Sequence, residues 1–314
     1  MSHNSNYIIN NSSTSNKTTW IAVDWGTSRL RVWHMNKEGD ILDHRSCEQG
    51  MNNLQPSDFE DVLLTQIAPW LSSNSTTKVL ACGMLGSRQG WMEVSYVTAP
   101  CPAATQSMQV TTQDPRIEVH ICPGIKQLSP ADVMRGEETQ VAGFIASQPN
   151  FSGIICLPGT HAKWVLVDNA QVTHFQTFLT GELYALLAQQ SVLRHSIDTH
   201  QWDDQCFSKA LKQSIDEPQS ISAKLFSLRA QALLNNLHTG SANAALSGYL
   251  IGLELASSKQ LWKGRQVVII GESTLAKRYS QALTLCEVSS SQQDSEKLTL
   301  QGLALAYHQL SFSS

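Results

Sequence analysis

Ile21 to Asp24 and Leu30 to Trp33 alternate between apolar and polar positions, as strands with one buried face do. A third such run follows the polar turn Lys37-Glu38-Gly39-Asp40, so the spacing predicts an antiparallel meander near 19–25, 29–35 and 41–47. Phe59, Val62, Leu63, Ile67 and Trp70 then recur at helical spacing, which predicts a helix from Pro56 to Leu71. Val79 to Cys82 and Ile117 to Cys122 read as buried strands. Asp132 to Gly136 reads as a loop that turns into a helix through Val141-Ala142-Gly143-Phe144-Ile145.

The opening pattern then recurs. Gly153 to Leu157, Ala162 to Val167 and Gln171 to Phe178 form a second three-strand meander, its first turn being Pro158-Gly159-Thr160-His161 and its second Asp168-Asn169. This is an internal duplication of architecture. A helix is expected after Thr180-Gly181-Glu182, then two long helices near 222–237 and 241–262, where Gly248 and Gly252 share a face suited to close helix packing. Gln266 to Ile270 is a continuous apolar strand ending in Gly271-Glu272-Ser273 and a helix, and Glu296 to Leu310 reads as a last helix. The expected organisation is a mobile tail over 1–18, an N-terminal domain over 19–150 and a C-terminal domain over 151–314.

At 314 residues and 41% hydrophobic content the chain can bury two cores. A formal charge of -4 and a pI near 6.2, with no basic run, argue against a nucleic-acid partner. The seven cysteines stand singly with no CxxC pair, so neither a zinc site nor a disulfide framework is indicated. The first seventeen residues, rich in Asn and Ser, lack the basic and apolar regions of a signal peptide, and no apolar run reaches the roughly 20 residues of a membrane span. A cytoplasmic protein is expected.

Candidate chemistry concentrates in the turns. In Trp25-Gly26-Thr27-Ser28 the glycine allows a tight bend, and two hydroxyls with their amides suit an anion, while Asp24 is placed to hold Mg²⁺ beside phosphates. An ordinary hairpin explains the same residues. Gly83-Met84-Leu85-Gly86-Ser87-Arg88-Gln89-Gly90-Trp91 follows a strand, where open α/β sheets place ligand contacts, although a structural loop with a surface arginine is the plainer reading. Glu137 and Glu138 suit the first turn of a helix whether or not they do chemistry. No GxxxxGK[ST] motif is present, and no GxGxxG follows a strand.

Two Gly-Thr hairpin turns, one per half, and a late strand-Gly-Glu-Ser-helix turn resemble the actin, sugar kinase and heat-shock ATPase superfamily. That resemblance implies a two-domain α/β fold, actin-like and related to ribonuclease H, with duplicated mixed sheets, flanking helices and a cleft. More specifically DWGTSRLRVW, GMLGSRQGW, DVMRGEETQVAG, LPGTHAKWV and GESTLAKRY, in this order, resemble the 2-dehydro-3-deoxygalactonokinase family over Trp20 to Leu310. The resemblance implies a phosphotransferase that uses ATP and Mg²⁺ to phosphorylate the 6-hydroxyl of 2-dehydro-3-deoxy-D-galactonate.

On that basis Asp24, Gly26, Thr27 and Ser28 are expected to face the nucleotide phosphates from one side, Asp24 as the metal ligand. Gly159, Thr160, His161 and Lys163 would face them from the other, with Gly271, Glu272 and Ser273 lining the adenosine pocket. Ser87, Arg88, Gln89, Gly90, Trp91 and Arg135 are the expected sugar-acid contacts, the arginines meeting a carboxylate. The general base is sought among Asp132, Glu137 and Glu138; Glu137 is preferred, because hexokinase-like members of the superfamily carry their catalytic carboxylate at the corresponding helix start. The implied partner is a small sugar acid, without nucleic acid or membrane, and a homodimer is compatible with it. A same-fold kinase for another sugar, or a nucleotide-dependent switch without a small-molecule acceptor, are the competing readings.

Overall fold

The computed structural model describes residues 19–312. The tail expected over 1–18 lies outside them. In the first half come β1 (Thr19–Trp25), β2 (Leu30–Asn36), β3 (Ile41–Cys47), α1 (Phe59–Ile67) and β4 (Thr77–Gly83). The short strands β5 (Val97–Thr98), β6 (Cys101–Pro102) and β7 (Met108–Val110) lead to β8 (Ile117–Ile121), the hairpin β9 (Ile125–Leu128) and β10 (Ala131–Met134), and α2 (Glu137–Ser147). The second half has β11 (Gly153–Leu157), β12 (Ala162–Asp168), β13 (Gln171–Phe178), α3 (Thr180–Gln189), α4 (Asp204–Asp216), α5 (Ile221–Leu234), α6 (Thr239–Ser257) and α7 (Lys259–Trp262). It closes with β14 (Val267–Gly271), α8 (Ser273–Leu285), β15 (Ser290–Asp294) and α9 (Ser295–Phe312).

Two mixed sheets carry the duplication. The first runs β3-β2-β1-β4-β8-β7 and the second β15-β14-β11-β12-β13-β6. In each, the leading strand (β1 or β11) pairs antiparallel with the next strand of its meander and parallel with a later strand on its other side. A further parallel strand, β8 or β15, extends each sheet beyond that. This is the actin-like layout that the two meanders implied.

Helices are shared across the halves. α9 lays Leu303, Ala306 and Tyr307 on Trp20, Ala22 and Trp33 of the first sheet, with Trp20 stacked on Tyr307 at 4.7 Å. α2 lays Val141 and Phe144 on Ile155, Leu157 and Val165 of the second. The two helices cross backbone to backbone: a Cβ on Gly302 would stand 2.0 Å from the Thr139 carbonyl oxygen, and one on Gly143 would stand 2.1 Å from that of Leu298.

Several local expectations are corrected. Asp132 to Met134 is strand β10, not loop, paired with β9 and tied to β13 through Asp132. The helix expected to reach 237 ends at Leu234, because Asn236 takes a left-handed backbone (φ 53). The one expected over 241–262 breaks at Ser258, whose hydroxyl donates to the Glu254 carbonyl at 2.8 Å. Helix α4, capped by Asp203, was not foreseen, nor was the polar edge strand β15. Gly248 and Gly252 do serve packing, since a Cβ on either would come within 2.5 Å of Phe207 or Ser214 on α4.

Candidate active site

Glycines draw the motifs to one place. Gly83 ends β4 with φ 97, and a Cβ there would stand 2.5 Å from the Trp25 carbonyl oxygen at the end of β1. Gly136, also left-handed at φ 105, rests against it, its Cβ position 3.4 Å from the Gly83 Cα. The start of α2 is thereby held at the ends of β1 and β4. From that start Glu137 reaches Lys163 on β12, Oε1 to Nζ at 3.0 Å, and the same Nζ donates to the His161 carbonyl at 3.2 Å. A continuous set of contacts therefore links the first hairpin strand to the second turn.

The first turn is closed by the Gly26 amide donating to the Arg29 carbonyl at 2.9 Å. Residues 50–52 clamp its rear: the Met51 and Asn52 amides donate to the Gly26 and Thr27 carbonyls at 3.1 and 3.0 Å. Gly50 lies so close to Ser28 that a Cβ would stand 2.2 Å from the Ser28 carbonyl carbon. Thr27 and Ser28 remain exposed. Asp24 is mostly buried and accepts from Arg31, which also reaches Glu296 of α9 at 3.5 Å. Among the described residues no group of three or more His, Cys, Asp or Glu forms a metal cage. A single carboxylate suits Mg²⁺, which takes most of its ligands from phosphates and water.

The second turn is open where the first is clamped. A Cβ on Gly159 would meet nothing within 4 Å. α3 backs the turn, with Gly181 close against the Gly159 carbonyl and the Glu182 amide donating to the Thr160 carbonyl at 3.0 Å. The Glu182 carboxylate also pairs with His161 Nε2 at 2.6 Å. Beside the turn lies a cavity of about 260 Å³ lined by Gly159, Thr160, Gly181, Leu250, Leu275 and Arg278, among others.

Gly271, Glu272 and Ser273, the expected adenosine contacts, are not among its lining residues. Gly271 sits against Pro158, 3.4 Å from its Cδ to a Cβ position. The Glu272 carboxylate caps α8, accepting from the Thr274 and Leu275 amides at 2.9 and 3.1 Å and from the Ser273 hydroxyl at 3.0 Å. Those backbone donors hold its pKa down to about 2. The wall that faces the cavity comes one turn later on α8, from Leu275 and Arg278.

The three candidate acids differ sharply. Asp132 accepts from the Thr177 amide and hydroxyl, both at 2.7 Å, and so covers part of the edge of β13. Glu138 is wholly buried, accepting from the Gly136 amide at 2.6 Å and the Thr139 hydroxyl at 3.2 Å. Burial first, and then the Glu137 charge, push its pKa up to about 8. Glu137 keeps a quarter of its side chain exposed and accepts from the Arg135 amide at 3.1 Å besides its pairing with Lys163.

The expected sugar-acid residues separate into two groups. Arg88 and Gln89 are exposed, Arg88 within 3.5 Å of Glu93. Ser87 is buried, its hydroxyl against Met51 Sδ at 3.2 Å, and Trp91 stacks on Phe59 of the first core at 6.3 Å. Gly90 permits the tight return, a Cβ there falling 2.2 Å from the Leu85 carbonyl oxygen. Arg135 is buried over the Tyr96 ring at 4.2 Å and donates from Nη2 to the Val94 carbonyl at 2.6 Å. Its Nε and Nη1 have no partner, and room for Nη1 exists only because position 86 is glycine. A buried guanidinium with two unused donors suits a ligand carboxylate.

Sequence reasoning missed the α6 and α8 side of the cavity beside the second turn. Glu254, buried on α6, accepts from Trp164 Nε1 and the Tyr279 hydroxyl, both at 2.7 Å, and from the Thr180 hydroxyl. A lone acid in the apolar run Tyr249 to Leu255 was the available signal. A larger cavity of about 900 Å³ lies between the β2–β3 turn, α2 and α9, and contains none of the motif residues expected to bind ligands. Volume alone does not locate the site.

The model of the 2-keto-3-deoxy-galactonokinase family matches residues 24–306. A probable 2-dehydro-3-deoxygalactonokinase of Rhizobium meliloti (strain 1021) is 34% identical over 294 residues, covering 91% of this chain and 96% of its own. The 2-dehydro-3-deoxygalactonokinase of Escherichia coli (strain K12) is 32% identical over 277 residues, covering 86% and 92%. The crystal structure of a Sinorhizobium meliloti protein bearing the same enzyme name superposes with a TM-score of 0.86 at 32% identity, over 93% of this chain and 99% of that one. An activator of 2-hydroxyisocaproyl-CoA dehydratase from Clostridium difficile, solved with bound ADPNP, shares the fold alone, with a TM-score of 0.53 at 13% identity over 94% and 96% of the two chains.

Proposed function

Since the chain belongs to the 2-keto-3-deoxy-galactonokinase family and is an ATP-dependent sugar-acid kinase, we propose that Glu137 is its general base, acting on the 6-hydroxyl of 2-dehydro-3-deoxy-D-galactonate. The acceptor oxygen attacks the γ-phosphorus, the new O–P bond forms as the bond to ADP breaks, and the hydroxyl proton passes to the Glu137 carboxylate. ADP leaves with the electron pair. The observation that carries this reading is the Glu137–Lys163 pair, 3.0 Å from Oε1 to Nζ, which ties the one partly exposed acid of the α2 start to β12 just past the second hairpin turn.

The remaining roles follow from placement. Thr27 and Ser28 on one side, and Gly159 and Thr160 on the other, take the phosphates. Lys163 orients Glu137 and adds positive charge beside the transferring group. Asp24 is the residue that would hold Mg²⁺, directly or through water; the ion neutralises phosphate charge when bound. Arg135, with its unused Nε and Nη1, takes the substrate carboxylate, and exposed Arg88 steers the anion inward. The enzyme works in the cytoplasm, where its nucleotide is made. Among the described residues no helix is long and apolar enough to cross a membrane.

The test is the turnover of Glu137→Gln. We expect kcat to fall by about 10²–10⁴ with KM for ATP and thermal stability near wild type. A variant that keeps wild-type kcat overturns the assignment.

A further inference from the structure

The cavity beside the second turn contains a cation that no carboxylate reaches within 4.0 Å, the Glu272 and Asp204 charges acting on it from farther off. Arg278 lies with its guanidinium carbon 3.7 Å from the centroid of the Trp202 ring. Trp202 is itself fixed, its Nε1 donating to Asp204 Oδ1 at 2.9 Å and its ring packed on Phe207 at 5.3 Å. Arg278 is half-buried and belongs to none of the ion pairs among the described residues. One face of the guanidinium is covered by indole, and the residue lines the 260 Å³ cavity. A planar cation held in this way stacks well on an aromatic heterocycle.

The cavity's other polar groups are already used. The Thr180 and Tyr279 hydroxyls both donate to Glu254. The Tyr184 hydroxyl donates to Asn243 Oδ1, and Asn243 Nδ2 donates to the Gln201 carbonyl at 2.7 Å. Leu250, Ile251 and Leu275 supply apolar wall. Away from the phosphate turn, Ser247 is the lining side chain left to meet the edge of a base, and a hydroxyl can accept from an amino group or donate to a carbonyl equally well.

We propose that Arg278, held flat on Trp202, is the shelf on which the nucleobase stacks, and that the kinase therefore discriminates little between adenine and guanine nucleoside triphosphates. This rests on reading the cavity as the nucleoside site. A site that reads a base through dedicated donors and acceptors rejects the wrong one by about 10⁴–10⁵, whereas shape and stacking give only about 10–200-fold. With the Thr180, Tyr184 and Tyr279 hydroxyls committed to protein partners, and Ser247 and the Arg278 guanidinium left beside the base, this cavity falls in the second class.

The experiment compares kcat/KM for ATP, GTP, ITP and UTP at saturating sugar acid. ATP, GTP and ITP should lie within about 200-fold of one another, with UTP behind because a pyrimidine offers less stacking area. Arg278→Ala should raise KM for ATP and GTP by a similar factor of at least ten, and Arg278→Lys should not restore it, because an ammonium lacks the planar face. A preference for ATP over GTP above about 200-fold overturns the selectivity inference, even if Arg278→Ala still raises KM. Unchanged KM for ATP in both Arg278→Ala and the cavity-filling Leu275→Trp overturns the nucleoside reading itself. The wild-type nucleotide series needs no variant, so the inference stays testable if a substitution impairs folding.

Discussion

The buried carboxyl of Glu254 makes a quantitative prediction about stability and pH. Burial raises its pKa from an ordinary 4.5 to about 7 in the folded protein, against the pull of three hydrogen-bond donors. An acid whose folded pKa is raised contributes stability that is complete below its unfolded pKa and is lost as pH rises through the folded one. The window therefore runs from about 4.5 to about 7, and at 1.36 kcal/mol per unit the loss is about 3 kcal/mol. Glu254→Gln removes it. The amide oxygen can accept from Trp164 Nε1, and the amide nitrogen can donate to the Thr180 and Tyr279 hydroxyls once they rotate, where the protonated acid has one O–H to give. Urea denaturation of both proteins at a series of pH values from 5 to 8 isolates the effect, since Glu138 and every other group titrate alike in each and cancel in the difference. The variant should gain on wild type by about 3 kcal/mol across the range. Curves that stay parallel to within about 0.5 kcal/mol would refute the reasoning.

Other substitutions test separate parts of the structure. Gly159→Val should fold with near wild-type stability, because its Cβ meets nothing within 4 Å, yet lose ATP binding by calorimetry because the added side chain fills the approach to the phosphates. Asp132→Asn leaves an amide nitrogen facing donors of Thr177, so stability in urea should fall by about 1–3 kcal/mol while kcat stays within a few-fold of wild type; a dead enzyme with normal stability would instead mark Asp132 as the base. Gly302→Ala drives a methyl to 2.0 Å from the Thr139 carbonyl oxygen, so α2 and α9 must separate, and a cost of about 1–3 kcal/mol or more should appear as a Tm several degrees lower by calorimetry.

Much of the fold was legible because it follows from local rules. Period-two alternation, broken by Gly-Thr turns, placed both meanders to within a residue or two, and their recurrence announced the duplication. What the pattern could not supply was partnership. The apolar stripe of α9 is visible in the sequence, but periodicity does not say that the sheet beneath it belongs to the other half of the chain. The hairpin β9–β10 has strands of four residues, too short for alternation to separate them from a loop. Helix α4 was readable from the Asp203 cap and the spacing of Phe207, Ala210, Leu211 and Ser214. β15, Ser-Ser-Gln-Gln-Asp, has no apolar face to announce it and exists because β14 offers it an edge.

The site divides in the same way. Residues that contribute through backbone shape, Gly26, Gly83, Gly136 and Gly159, could be singled out because glycine marks turns and close approaches wherever it falls. Residues that contribute through a distant partner could not: Arg278 of α8 meets Trp202 in the segment before α4, and Glu254 is defined by donors from three other elements. That Gly271 to Ser273 lie outside the lining of the cavity beside the second turn has the same origin. A glutamate at the start of a helix satisfies amides first, and the pKa of Glu272, held to about 2 by those amides, records how completely its carboxylate is engaged there. The same competition acts at the start of α2, where Glu138 takes the Gly136 amide at 2.6 Å. With that amide already paired, the neighbouring Glu137 extends to Lys163 instead. Two adjacent acids thus divide the work: one closes the helix start, and the other stands in the cleft beside the second turn, held by Lys163 at the distance a charged partner requires.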